Sequence, residues 1–182
     1  LPAPALARVR LRLGEVHVAL NESEAARSRL TEIGPAADPD VTAGAKLLLA
    51  RLAAAEDKWG EAVKLFEAAQ ATPGLPRDQL DTVRYLTGVG LVQLKSPEAA
   101  VPYFEKATSD PGPVGTAAAA RLADLIVRDP AKKGNRGRAV DLLDAAVKDV
   151  AAGAEFKSPY LKPDELRAVF ELAVQALTDE GD

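Results

Sequence analysis

Apolar residues recur along this chain at steps of three and four, the period of a helix face rather than of a strand. Residues 5–20, ALARVRLRLGEVHVAL, place Leu6, Val9, Leu13, Val16 and Leu20 on one stripe. The next segment, NESEAARSRL, offers Asn21 or Ser23 as a cap with acids in the first turn, and GPAADPD stops it. Helical patterns follow over 40–56 and 58–71, then break at ATPGLPRD. The pattern resumes over 78–95. Ser96 as N-cap and Pro97 at the first helical position then announce another helix, with Pro102 in its second turn. SDPGPVG breaks the chain again, and helical stretches over 115–128 and 137–151 are separated by the polar turn DPAKKGNRG. After the irregular GAEFKSPYLK, residues 163–178 place Leu166, Val169, Phe170, Ala173, Val174 and Leu177 on one face. No segment alternates as a strand does. The pattern predicts an all-α fold of nine helices, with neighbours antiparallel because their connections are short.

Composition narrows the function classes. The chain has 182 residues, 47% hydrophobic and 27% charged, which is globular composition. Aromatics make up only 4%, so alanine fills much of the interior and lets helices approach closely. A net charge of −4 gives no basic footprint for nucleic acid. With no Cys, disulfides, thiolate metal sites and thiol nucleophiles are excluded. No apolar run reaches the length of about 18 residues that a membrane span needs, and no signal peptide is visible at Leu1. The chain also lacks Met, including at its first residue, and reads as an excised domain or processed product.

The second helix of each expected pair repeats one pattern: EAARSRLTEI (24–33), GEAVKLFEAA (60–69), EAAVPYFEKA (98–107) and GRAVDLLDAA (137–146). The recurring triplets are Ala26/Leu30/Ile33, Ala62/Phe66/Ala69, Ala100/Phe104/Ala107 and Ala139/Leu143/Ala146. Their alanines are spaced 36, 38 and 39 residues apart. Twelve residues before the first three alanines stand Gly14, Ala50 and Gly88; the fourth repeat needs sixteen to reach Ala123, its extra residues falling in a turn. A small residue in each first helix is expected to face the small residue of the second, so the backbones cross closely, with the large apolar residue four positions on filling the space beside them. Trp59 and Phe66 then bracket Ala62 to wedge a helix pair together.

These residues resemble the tetratricopeptide repeat family. Repeat one carries LGEVH (13–17), with His17 in the family's aromatic slot and Pro39 at its close; repeat two carries KWGEAVKLFEAA without the Gly. Repeat three carries Gly88, EAAVPYFEKA and Pro111, and repeat four has Leu143 for Phe and Ala123 for Gly. The other aromatic slots hold Ala53, Leu91 and Ile126. The resemblance covers residues 7 to about 150 and implies a single α-solenoid domain. Its repeats would span approximately 5–38, 40–73, 78–111 and 115–152 of a right-handed superhelix, with 163–178 as a capping helix or half of a fifth repeat. It further implies a concave face lined by the first helices. The lining residues would be Arg8, Leu11, Glu15, Leu47, Arg51, Tyr85, Val89, Gln93, Asp124 and Arg128. Leu11, Leu47, Tyr85 and Val89 would anchor a peptide, and Arg51 and Arg128 would pair with its carboxylates. Family members that bind chaperone tails grip a terminal carboxylate, and Leu11 and Glu15 stand where such a grip would be, so that partner is disfavoured.

Little else carries chemistry. Lys132, Lys133, Arg136 and Arg138, with Gly134 and Gly137, form a basic turn that could hold an anion, but they lack the strand-before, helix-after setting of a phosphate loop. TGVG (87–90) lies within a helix. His17 is the lone His and takes a packing position, so neither a metal site nor a serine–histidine–aspartate site is expected. The expectation is a non-enzymatic protein–protein interaction scaffold without cofactor or metal. The alternative is a structural element of a larger envelope, secretion or coat-like assembly that interacts through its ends or convex face. Self-association through the helix ends is also open.

Overall fold

The computed structural model describes residues 1–34, 37–129, 135–148 and 158–179. Among them lie nine α-helices and no strand: α1 (Ala3–Ala19), α2 (Ser23–Thr31), α3 (Pro39–Ala55), α4 (Trp59–Gln70), α5 (Arg77–Gln93), α6 (Pro97–Ala107), α7 (Pro113–Arg128), α8 (Arg136–Lys148) and α9 (Pro163–Thr178). The fold is all-α, with element bounds within a few residues of those the pattern predicts. Residues 149–151 of the eighth expected helix, GAEFK of the irregular stretch and Lys132, Lys133 and Gly134 of the basic turn lie outside the described residues. No described helix is long and apolar enough to cross a membrane. The chain divides into two compact units, Leu1–Ser96 and Pro97–Asp182, the boundary falling inside the third expected pair.

In the first unit α1 packs on α2 and α3 on α4; α3 also packs on both α1 and α2, and α5 on α4. The pairs are antiparallel. Gly14, before the first turn, meets Leu30 beyond it, and Lys46 in the first half of α3 donates to Thr72 past the end of α4 at 2.9 Å. One core cluster joins Ala26, Leu30, Ala45 and Leu52, with Leu11, Val18, Ile33, Leu48 and Leu49 packed around it. The other joins Leu47, Ala50, Ala53, Ala62, Phe66, Ala69 and Val83. Every member of the four triplets is buried except Ile33, which is half-buried. Phe66 is completely buried, so truncating it to Ala removes a ring with nothing to refill the space, a cost of about 3–5 kcal/mol.

Ala50 and Ala62 share one core cluster, but at Gly14 close approach is managed differently from the small-on-small expectation. A methyl at Gly14 would lie 2.6 Å from Leu30 Cδ2, so the glycine makes room for the large residue of α2, not for Ala26. Gly90 on α5 makes room between pairs: a methyl there would lie 2.6 Å from Val63 Cγ2 and 3.6 Å from the Trp59 ring, both on α4. Trp59 therefore packs against α5.

The turns repeat without glycine. Asn21, Asp57 and Lys95 all have left-handed backbones, with φ of 59°, 57° and 60°. At each, the following N–H closes on a carbonyl five residues back: Glu22 to His17, Lys58 to Ala53 and Ser96 to Leu91, all at 2.9 Å. The N–H of the left-handed residue closes on the carbonyl three back, to Val18, Ala54 and Val92, at 3.0–3.1 Å. This is the Schellman closure of a helix end. Its recurrence at the spacing of the packing alanines makes helix, turn and helix one repeated object. Asn21 thus terminates α1 instead of capping α2, and Ser23 is already the first residue of α2, with no side-chain cap.

In the second unit α7 packs against α6, α8 and α9, and α9 also rests on α8. Its central position explains its composition: Ala117, Ala118, Ala120, Leu122 and Ala123 are essentially inaccessible. Gly115 permits the tight entry to α7, since a methyl there would fall 1.9 Å from the Asp110 carbonyl oxygen. Arg121 on α7 holds Glu165 on α9 at 2.7 Å. That carboxylate also accepts the Lys162 backbone N–H at 2.9 Å. The Lys162 hydrogen bond, then Arg121, holds the Glu165 carboxyl below the usual carboxylate range, against the opposing effect of burial.

Candidate interaction surfaces

The ten residues expected to line a groove fall into rows set by the repeat register. Leu11, Leu47 and Tyr85 are one row. Leu47 is only 5% exposed and belongs to the second core cluster, while Tyr85 is 3% exposed. Neither offers a side chain to a peptide, because the row it shares points into the packing between helices; Leu11 is half-buried against the first cluster. These two anchors are therefore withdrawn from the expected lining.

One turn further along each first helix, the row Glu15, Arg51 and Val89 is accessible: Glu15 and Val89 are half-buried and Arg51 is exposed. Asp124 holds the same register position in α7 of the second unit. Glu15 is engaged by Arg12 at 2.6 Å. That contact raises the arginine's affinity for its proton, by hydrogen bond first and charge second. Arg8 reaches Asp38, ahead of α3, at 2.7 Å. Arg51 makes no ion pair among the described residues. Gln93 is exposed, and Asp124 and Arg128 form an ion pair of their own along α7 at 2.7 Å. The first unit therefore leaves Arg8, Glu15, Arg51, Val89 and Gln93 as accessible, mostly polar positions on α1, α3 and α5.

The basic turn is partly committed to packing. Arg136 opens α8 and donates to the Ala176 carbonyl near the end of α9. Arg138 pairs with Glu105 of α6 at 2.7 Å. His17 is half-buried, its Nδ1 2.6 Å from Glu22 Oε2 across the first turn, so it helps close the α1–α2 hairpin.

The surface that pattern reading missed is on α1. Its most regular apolar stripe points outward: Val9, Leu13, Val16 and Leu20 are 43%, 41%, 52% and 61% exposed. Val9, Leu13 and Val16 edge a shallow furrow of about 300 Å³ with Arg8 and Arg12. The face that packs inward holds Ala7, Gly14, Leu11 and Val18. The signal was present in Gly14. Once that residue is taken as the close-approach position, the inward face is fixed, and the stripe through Val9 and Val16 lies away from it. No protein-family profile, curated protein or solved structure matches the chain.

Proposed function

We propose that the chain is a non-enzymatic protein–protein interaction module built of tetratricopeptide-like helix pairs, presenting one side chain per repeat to a partner segment. The observation that carries this reading is the row Glu15, Arg51 and Val89: three equivalent positions on successive first helices, all accessible, with different chemistry at each. The buried triplets stay apolar from repeat to repeat. A row that varies while remaining accessible is suited to reading a ligand. Arg51 is the cation that a partner carboxylate would meet, Val89 the apolar contact and Gln93 a neutral hydrogen-bonding group.

The test is affinity capture from source-cell extract with the wild type and with Arg51→Glu/Val89→Glu, followed by a direct titration of the captured protein after purification. Circular dichroism of both chains checks that the variant stays helical. A partner that binds the wild type and loses at least tenfold affinity for the variant supports the reading. Equal binding to both removes this row as the site. A second reading, a structural element of a larger assembly that contacts neighbours through its terminal helices, is favoured by the outward stripe of α1.

A further inference from the structure

One cationic position recurs on α1, α3 and α5 and is lost on α7. Four residues before Gly14, Ala50 and Gly88 stand Arg10, Lys46 and Arg84; four before Ala123 stands Ala119. In α1 and α3 the long side chain crosses to the second helix of its own pair. Arg10 donates to the Glu32 carbonyl at 2.8 Å. Lys46 Nζ lies 3.5 Å from the Ala68 carbonyl oxygen and 2.9 Å from Thr72 Oγ1. Glu32 and Ala68 are equivalent, each six residues past the packing alanine of its second helix. Both carbonyls belong to a helix end, where the backbone presents partial negative charge, so a cation is favoured there. Arg84 holds the position on α5 and pairs with Asp81 of the same helix at 2.7 Å.

On α7 the equivalent place is a cleft. Ala119 supplies only a methyl there. With Ala145, the residue equivalent to Glu32 and Ala68, it lines an opening of about 320 Å³ between α7, α8 and the turn after α6. Both helix positions of the crossing are therefore present, without the long side chain that spans them in the first unit. The lining suits a cation. Among the described residues that line the cleft, Asp110 is the charged one. Its Oδ1 accepts the Gly112 N–H at 2.7 Å, and a carboxylate has lone pairs for further donors. Thr108, also in the lining, gives its hydroxyl proton to the Glu105 carbonyl at 2.8 Å, which leaves its oxygen as an acceptor. Leu142 and Ala146 supply an apolar wall against which an alkyl stem can lie.

We infer that this cleft binds an alkylammonium group, with its stem along Leu142 and Ala146 and its N–H donors shared among Asp110, Thr108 and the end of α8. An ammonium carries three donors and no acceptor, which matches a lining that accepts. The volume is at the small end of ligand sites and suits one lysine-sized group. A free alkylamine and the lysine side chain of a partner present this same chemistry. The inference does not rest on the Arg51 row and holds or fails independently of it.

The experiment titrates n-butylammonium chloride into the whole chain and follows backbone amide resonances by NMR, with n-butanol and sodium chloride as controls. A ligand of so few atoms binds weakly, with a Kd on the order of millimolar. Saturable shifts centred on Thr116, Ala119 and Ala145 are expected with butylammonium and with neither control. Asp110→Asn keeps the acceptor for the Gly112 N–H and removes the charge, and is expected to weaken binding about fivefold. Ala119→Lys restores the side chain that Lys46 provides in α3 and is expected to abolish the titration. Lys46→Ala gives a converse test, should Ala119→Lys not fold: it opens the equivalent space in the first unit. Its thermal midpoint is expected to fall and to recover in part with butylammonium but not with n-butanol. Shifts as large with n-butanol, an Ala119→Lys chain that titrates like the wild type, undiminished affinity in Asp110→Asn, or no saturable shift at all would each overturn the inference. The same titration with N-acetyl-lysinamide separates the sources. Affinity equal to or above that of butylammonium supports a partner's lysine, and affinity at least tenfold lower supports a free alkylamine.

Discussion

Gly14 and Leu30 form the contact on which the first hairpin closes, and a double-mutant cycle on them tests the close-approach reasoning. The three atoms nearest to an added methyl at Gly14 all belong to Leu30, at 2.6, 2.8 and 3.5 Å. Leu30 is 2% exposed and cannot swing aside. Gly14→Ala gains about 1 kcal/mol of helix propensity but overpacks the hairpin by about 1–3 kcal/mol. The net expectation is destabilisation of about 1 kcal/mol. Leu30→Ala alone costs about 2–5 kcal/mol and opens the space that the methyl would enter. In that background the clash is gone and the propensity gain remains, so Gly14→Ala should stabilise by about 1 kcal/mol. The sign reversal amounts to a coupling of about 2 kcal/mol, well above the scatter for independent sites. Urea unfolding followed by Trp59 fluorescence reads it, since Trp59 is the one tryptophan and lies in the same unit. If Gly14→Ala has the same effect in both backgrounds, clearance against Leu30 is not what the glycine provides.

Gly90→Ala should destabilise by about 1–3 kcal/mol by the same overpacking, and Val63→Ala should relieve it; additive free energies in the same unfolding assay would refute the contact. Lys95 holds a left-handed backbone that Asn and Asp tolerate better, so Lys95→Gly should stabilise by about 0.5–1 kcal/mol. Asn21→Gly should be close to neutral, and thermal unfolding of both variants checks the difference. Glu165 is held below the usual carboxylate range by the Lys162 N–H and by Arg121. A depressed carboxyl contributes stability above its unfolded value of about 4.3 and loses it as pH falls through the folded value. Stability measured from about pH 5 downward should therefore fall more steeply in the wild type than in Glu165→Gln; parallel curves would remove this contact from the acid response.

The helices were readable in the sequence because period and punctuation agree: Pro97 and Pro163 start α6 and α9 as the pattern requires. The packing triplets were readable because burial follows the repeat. The turns were not, because the left-handed residue at the three described turns is Asn, Asp or Lys. Recurrence of position carries that signal, not residue type. The orientation of α1 was obscured for a physical reason. A helix with apolar residues on two sides gives no single amphipathic direction, and the larger side chains of Val9, Leu13, Val16 and Leu20 outweigh Ala7 and Gly14 in any reading by hydrophobicity. In an alanine-rich protein the inward face is the one with small residues, since close approach of backbones replaces bulk as the source of contact. Leu47 and Tyr85 were misplaced by the converse error: a row assigned to a groove by resemblance is, here, the row on which the first helices pack.

The register position shared by Val16, Leu52 and Gly90 shows how one architecture accommodates three side chains of different size. Leu52 is buried in the cluster with Ala26 and Leu30, where Ser23 and Arg27 hold the places that Trp59 and Val63 hold one repeat later. Gly90 is buried beneath Trp59 and Val63 themselves. Bulk removed from the first helix is thus supplied by the second helix of the preceding pair, and the space between pairs stays filled, as a close-packed interior requires. The only tryptophan of the chain sits where the glycine needs it.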